Sequence, residues 1–136
     1  MENFAEKNLP AQLLPFFSKY SRKLVAVYLF GSAADGTATD SSDIDIAVLL
    51  RNTGNQEETF LRFNLYADLC RTLGRNDIDL VILNYTSNLI LKDTIIRHGI
   101  VLYTADDSDN ERIDFELKVM HSCTDFKLQR HRVMGI

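Results

Sequence analysis

Cysteine is scarce in this sequence. Cys70 and Cys123 stand far apart with no metal-type spacing, which excludes a disulfide-stapled scaffold and a cysteine zinc site and leaves two reduced thiols. The three histidines, His98, His121 and His131, show no ligand spacing either. No apolar run approaches the ~20 residues that a membrane-spanning helix needs. The opening stretch MENFAEKNLP lacks the basic start and apolar segment of a secretion signal, so the expected compartment is the cytoplasm. Positive charge is also short: 15 Lys and Arg face 19 Asp and Glu, a net charge of −4. That argues against nucleic acid as a direct ligand, because phosphate-backbone binding calls for a basic face. There is no low-complexity tract, no linker, and no Ser/His/Asp or Cys/His constellation for nucleophilic catalysis.

What remains is an ordinary globular composition, 46% hydrophobic and 25% charged over 136 residues. That length suits a single domain over residues 1–136 with one real core. Apolar spacing predicts a short or kinked helix from Leu9 to about Ser21, with Pro10 in its first turn and Pro15 as an interruption. Leu24–Phe30 (LVAVYLF) reads as a buried central strand. A turn with one short helical segment follows from Ser32, ending at Gly36. The polar stretch Thr39–Ser42 leads into a strand over Ile44–Leu50, and a loop around Gly54 leads into a helix over Glu57–Leu73. That helix has Phe60, Leu61, Phe63, Leu65, Tyr66, Leu69, Cys70 and Leu73 as its apolar stripe and Gly74 as its stop. A third strand is expected over Asp77–Leu83, a helix over Ser87–His98, a short strand over Ile100–Tyr103, and a closing helix over Asn110–Arg132. The last is acidic first and basic later, the order that suits the helix dipole. The expected fold is α/β (α+β in some schemes): a small mixed sheet of about four strands, helices mainly on one face and an acidic site on the other.

The chemistry concentrates between Leu29 and Leu50, LFGSAADGTATDSSDIDIAVLL. An apolar strand ends on Gly31-Ser32, and ten residues later Asp43 and Asp45 head the next strand. Residues i and i+2 of a strand share a face, so the two carboxylates project together while Ile44, Ile46 and Val48 point into the core. Carboxylates that close repel unless one keeps its proton or a cation joins them. Gly31 permits close backbone approach, and Ser32 offers a hydroxyl and an N–H to phosphate oxygens. Ser32 also suits a helix N-cap. A phosphate rest facing paired hard-oxygen ligands is a device for holding a Mg²⁺-nucleotide. The segment SDIDIAVLL is nearly repeated in NDIDLVILN. If those two strands lie side by side with acidic faces aligned, Asp79 joins Asp43 and Asp45, while Asp77 reads as a solvated strand-end residue.

Gly-Ser, ten residues, Asp-x-Asp resembles the signature of the DNA polymerase beta-like nucleotidyltransferases, and the short chain is most similar to their minimal (MNT) branch, which includes the MntA antitoxins. The resemblance implies a nucleotidyltransferase fold and catalytic residues Asp43, Asp45 and Asp79, which also hold two Mg²⁺ ions. It implies ATP as substrate, nucleotide contacts at Gly31 and Ser32, and a partner chain that presents the acceptor. In the MNT branch that partner is a HEPN-family (HepT-like) ribonuclease toxin, and the pair forms a type VII toxin–antitoxin module in which AMP passes from ATP to a toxin tyrosine.

The turn after Gly-Ser departs from the pattern of many minimal members. It reads Ala33-Ala34-Asp35-Gly36, without a base before Arg51, and Asp35 would repel a triphosphate if it turned inward. Replacement cations are available in Arg71, Arg75, Lys92 and Arg97. The altered turn motivates one alternative, an antitoxin that masks its partner without catalysis. A second alternative is transfer to a small, aminoglycoside-like molecule. The charge-segregated segment Asp106–Arg132 is the candidate for partner contact.

Overall fold

The structure is a computed structural model, and it describes residues 4–37, 42–51 and 55–134. Thr39 and Gly54 lie outside the described residues, as do the side chains of Leu9 and Pro10. The elements run α1 (Phe4–Ser18), β1 (Leu24–Phe30), α2 (Ser32–Asp35), β2 (Ile44–Leu50), α3 (Asn55–Leu73), β3 (Ile78–Ile82), α4 (Leu89–His98), β4 (Ile100–Thr104) and α5 (Asp109–Met134).

The four strands form one mixed sheet in the order β3-β2-β1-β4. β1 is antiparallel to both β2 and β4, and β2 is parallel to β3. The parallel pair is possible because α3 supplies the crossover that two parallel strands need. The β2–β3 pairing is extended at its far end by Asn84, whose side chain accepts from the Leu50 N–H at 2.7 Å and donates to the Leu50 carbonyl at 2.9 Å.

Strand alternation divides the core between the two faces. Leu24, Val27, Leu29, Ile44, Ile46, Val48, Ile78, Leu80 and Ile82 pack against α1 and α3. Tyr28, Ala47 and Leu49 face the other way, toward Ile95 and Leu91 of α4 and Phe115 of α5. So α1, α2 and α3 cover one face, while α4 and α5 cover part of the second. The end of that second face left to the site is where β2 and β3 begin.

α5 is pinned across this face by a polar contact. The buried Tyr28 hydroxyl donates to Glu116 at 2.7 Å, and Arg112 donates to the same Glu116 oxygen at 2.8 Å. Burial and the neighbouring carboxylate push the Tyr28 hydroxyl far above its usual range. Past Cys123, the described side chains of α5 through Leu128 are exposed. Leu117 and Leu128 are each 58% exposed.

Two helices differ from the sequence expectation. α1 begins at Phe4, ends at Ser18, and runs through Pro15 as one helix. Pro15 and Ala11 both lie on the solvent side, so the carbonyl that loses its partner can be hydrated and the interruption is tolerated. Among the described side chains of α3, Leu61, Leu65 and Leu69 are the buried ones, spaced four apart. Phe60 and Phe63, assigned to the stripe by periodicity, are 75% and 71% exposed.

Candidate active site

The site is built where three strand ends meet. β1 closes on Phe30 and turns at Gly31, and Phe30 is the register partner of Asp45 in β2. Across the parallel pair, Asp45 is the register partner of Asp79 in β3. Partners in register point to the same side of a sheet, so these two carboxylates stand next to each other on the face shared with α4 and α5. Asp43 lies just before β2 and is exposed, Asp45 is half-buried, and Asp79 is exposed. The Asp45 carboxyl is pushed above the usual carboxylate range, by burial first and then by the charges of Asp79 and Asp43. That shift carries the electrostatic signature of three carboxylates sharing one region.

Gly31 is bound up with Asp45. Its φ of 70° and ψ of −152° fall in a region essentially open only to glycine. A Cβ placed there would lie 2.1 Å from Asp45 Oδ2. The glycine therefore makes room for an aspartate of the site itself, in addition to any ligand. Ser32 follows as the first residue of α2, half-buried, and Gly31 occupies the N-cap position without a side-chain cap. So the N-cap role considered for Ser32 is not used. α2 ends at Gly36 in the left-handed conformation, as its glycine suggests.

Asp35 is exposed and accepts from the Thr37 N–H at 3.0 Å and from the Thr37 hydroxyl at 2.6 Å. Those bonds hold its carboxyl below the usual range, with no contribution from the other three aspartates. Its charge is thus committed to its own turn.

The cations proposed as substitutes divide by location. Arg71 pairs with Asp68 on α3 at 2.8 Å, and Arg97 pairs with the buried Asp93 of α4 at 2.9 Å. Arg51, the first base after the motif, leaves the far end of β2 and pairs with Asp107 at 2.7 Å. It lies six positions along the chain from Asp45, about 20 Å at the usual rise. Arg75 forms a two-pronged pair with Asp77 and also donates to the Ser42 carbonyl at 2.6 Å. Asp77 is accordingly an ion-pair partner, more constrained than the solvated strand end expected of it. The two-residue spacing of Arg75 and Asp77 after Gly74 was the available signal for that pair, but the Ser42 contact spans 33 residues and left no local trace.

Among the described residues, no three Asp, Glu, His or Cys side chains form a ready-made metal ligand set. The donors nevertheless fit Mg²⁺ in kind. They are all hard carboxylate oxygens, and the upward shift of Asp45 shows negative charge that a divalent cation would relieve. Repulsion among uncompensated carboxylates also keeps such side chains from closing on a common point.

The Polymerase beta, Nucleotidyltransferase family model matches residues 11–108. The chain belongs to this nucleotidyltransferase family. Within it, the chain is similar to the protein adenylyltransferase MntA of Shewanella oneidensis, 38% identical over 73 residues, which is 54% of this chain and 50% of that protein. The matched stretch thus spans half the length of that curated relative. Among solved structures, it is similar to a chain of a toxin–antitoxin with AMP-PNP, at 27% identity and a TM-score of 0.72, covering 93% of this chain and 95% of that one. It is also similar to a chain in the complex of tri-AMPylated Shewanella oneidensis HEPN toxin with MNT antitoxin. There the identity is 25% and the TM-score 0.62, covering 99% and 97% of the two chains. No helix among the described residues is long and apolar enough to cross a membrane.

Proposed function

We propose that this nucleotidyltransferase domain transfers AMP from ATP to a hydroxyl, a tyrosine hydroxyl by its resemblance to MntA, on a HEPN-family toxin, and so acts as the antitoxin of the pair. The observation that carries this reading is the alignment of Asp45 with Asp79 across the parallel strands, beside the Gly31 turn. Its likeness to chains of toxin–antitoxin complexes, one holding AMP-PNP and one an AMPylated toxin, supports the choice of nucleotide and partner.

Asp43, Asp45 and Asp79 would hold Mg²⁺. When bound, that ion supplies charge neutralisation for the triphosphate and a lowered pKa for the acceptor hydroxyl. Gly31 and Ser32 seat the phosphates against the end of β1. Asp79 receives the acceptor proton. The acceptor oxygen forms a bond to the α-phosphorus as the bond to the bridging oxygen of the β-phosphate breaks, and pyrophosphate leaves with that electron pair. The Asp35–Thr37 turn keeps one negative charge occupied and out of this sequence of events. α5 offers the partner a surface in Leu117 and Leu128, each more than half exposed.

ATP labelled at the α-phosphate, incubated with Mg²⁺ and the toxin partner, tests the reading. Label on the toxin supports it. Toxin inhibited without label supports masking, the reading favoured by the lack of a base in Ala33-Ala34-Asp35. Pyrophosphate release driven by a small hydroxyl compound with no toxin present supports small-molecule transfer.

A further inference from the structure

Arg75 stands next to the acidic site without belonging to it. Its backbone is set by the end of α3: Gly74 is left-handed at φ 66°, and the Arg75 N–H donates to the Cys70 carbonyl at 3.1 Å. This is the six-to-one bond of a Schellman cap. From that anchor the side chain, 14% exposed, makes its two-pronged pair with Asp77 through the guanidinium and reaches the Ser42 carbonyl. Ser42 precedes Asp43 by one residue, and Asp77 precedes Asp79 by two. One side chain therefore ties together the two segments that deliver Asp43 and Asp79.

The ladder explains why the tie matters. β2–β3 pairing begins at Ile44 and Ile78, with the Ile44 N–H donating to the Asp77 carbonyl at 3.0 Å. Asp43 lies outside this pairing, and the sheet holds it only from its C-terminal side. Through the Ser42 carbonyl, Arg75 supplies a restraint on the other side. The same pair neutralises Asp77, so a fourth uncompensated carboxylate is not added where Asp45 is already burdened by Asp43 and Asp79. A planar fork suits this task in a way that a single ammonium does not.

We propose that Arg75 is a positioning residue of the acidic site, holding Asp43 against Asp79 through Ser42 and Asp77 so that the carboxylates can bind a divalent cation together. The inference rests on the nucleotidyl-transfer reading above. Its test uses the full chain, with Mn²⁺ as the probe in the presence of AMP-PNP, read by electron paramagnetic resonance, alongside AMP transfer to the toxin. Arg75→Ala is expected to weaken Mn²⁺ binding and raise the Mg²⁺ concentration for half-maximal transfer, each about ten-fold. The KM for ATP at saturating Mg²⁺ should change little, and Arg75→Lys should recover part of the loss. Asp77→Asn, which retains the side-chain shape, should shift the Mg²⁺ requirement in the same direction, and it carries the test if Arg75→Ala does not fold. Folded Arg75→Ala and Asp77→Asn with wild-type Mn²⁺ affinity and Mg²⁺ dependence would overturn the positioning role. A wild-type chain that neither binds Mn²⁺ nor transfers AMP would overturn the functional reading itself, and the positioning role with it.

Discussion

Gly31 and Asp45 occupy one another's space: the glycine backbone at the end of β1 lies where its own Cβ, if present, would sit 2.1 Å from the Asp45 carboxylate. Sequence reasoning gives that glycine a phosphate to approach. The structure also gives it an aspartate.

Gly31→Ala is therefore expected to fail on two counts. The backbone region is strained for any L side chain, at about 1–3 kcal/mol, and the added methyl must displace the Asp45 carboxylate. Urea unfolding should show the stability loss. AMP transfer measured at a temperature where the variant remains folded should still be at least ten-fold below wild type, a deficit that stability alone does not explain.

Asp45 couples function to stability through pH. Its folded-state carboxyl is held above the usual range, so between the unfolded pKa and that higher folded value the native state binds more protons than the unfolded chain. Stability must then fall as pH rises through that window and remain lower at neutral pH. Asp45→Asn should accordingly raise the metal-free melting temperature at pH 7. The gain should be no more than about 1 kcal/mol, the scale of a like-charge cross-strand pair, and should shrink toward pH 3. Mg²⁺ should stabilise the wild type and leave Asp45→Asn nearly unmoved. Calorimetric melts at both pH values, with and without Mg²⁺, check each sign.

Much of this arrangement is written locally. The runs LVAVYLF and IDIAVLL declare buried strands, and the echo of DID in DIDLVIL foretells Asp79 beside Asp45, because a shared pattern in two parallel strands settles on the register that buries its apolar alternates together. Contacts between distant segments were not legible. Arg75 reaches Ser42 across 33 residues, and its role as a strut depends on a cap, a strand start and a loop meeting in space. Phe60 and Phe63 show the limit of periodicity: Leu61, Leu65 and Leu69 already fill the groove over the sheet, with Cys70 and Leu73 packed at its edge, so the two phenylalanines are left outside. The effect of Pro15 was not legible locally either, since its cost depends on whether the freed carbonyl meets solvent.

The exposed residues of α5 give a prediction about the partner. Leu117→Asp combined with Leu128→Asp changes two side chains that are more than half exposed, so the melting temperature should shift by less than about 2 °C, as for surface changes within ±0.5 kcal/mol. Affinity for the toxin, measured by calorimetric titration, should fall at least ten-fold. Unchanged affinity would move the partner contact elsewhere on the domain.

The intact mass of the toxin after incubation with this chain, ATP and Mg²⁺ tests most directly whether Asp43, Asp45 and Asp79 work as one nucleotidyl-transfer site. The expected result is toxin carrying one or more AMP groups, matched by released pyrophosphate, and lost with Asp45→Asn and with Asp79→Asn. Toxin of unaltered mass, or AMP transfer that persists in both variants, would contradict it.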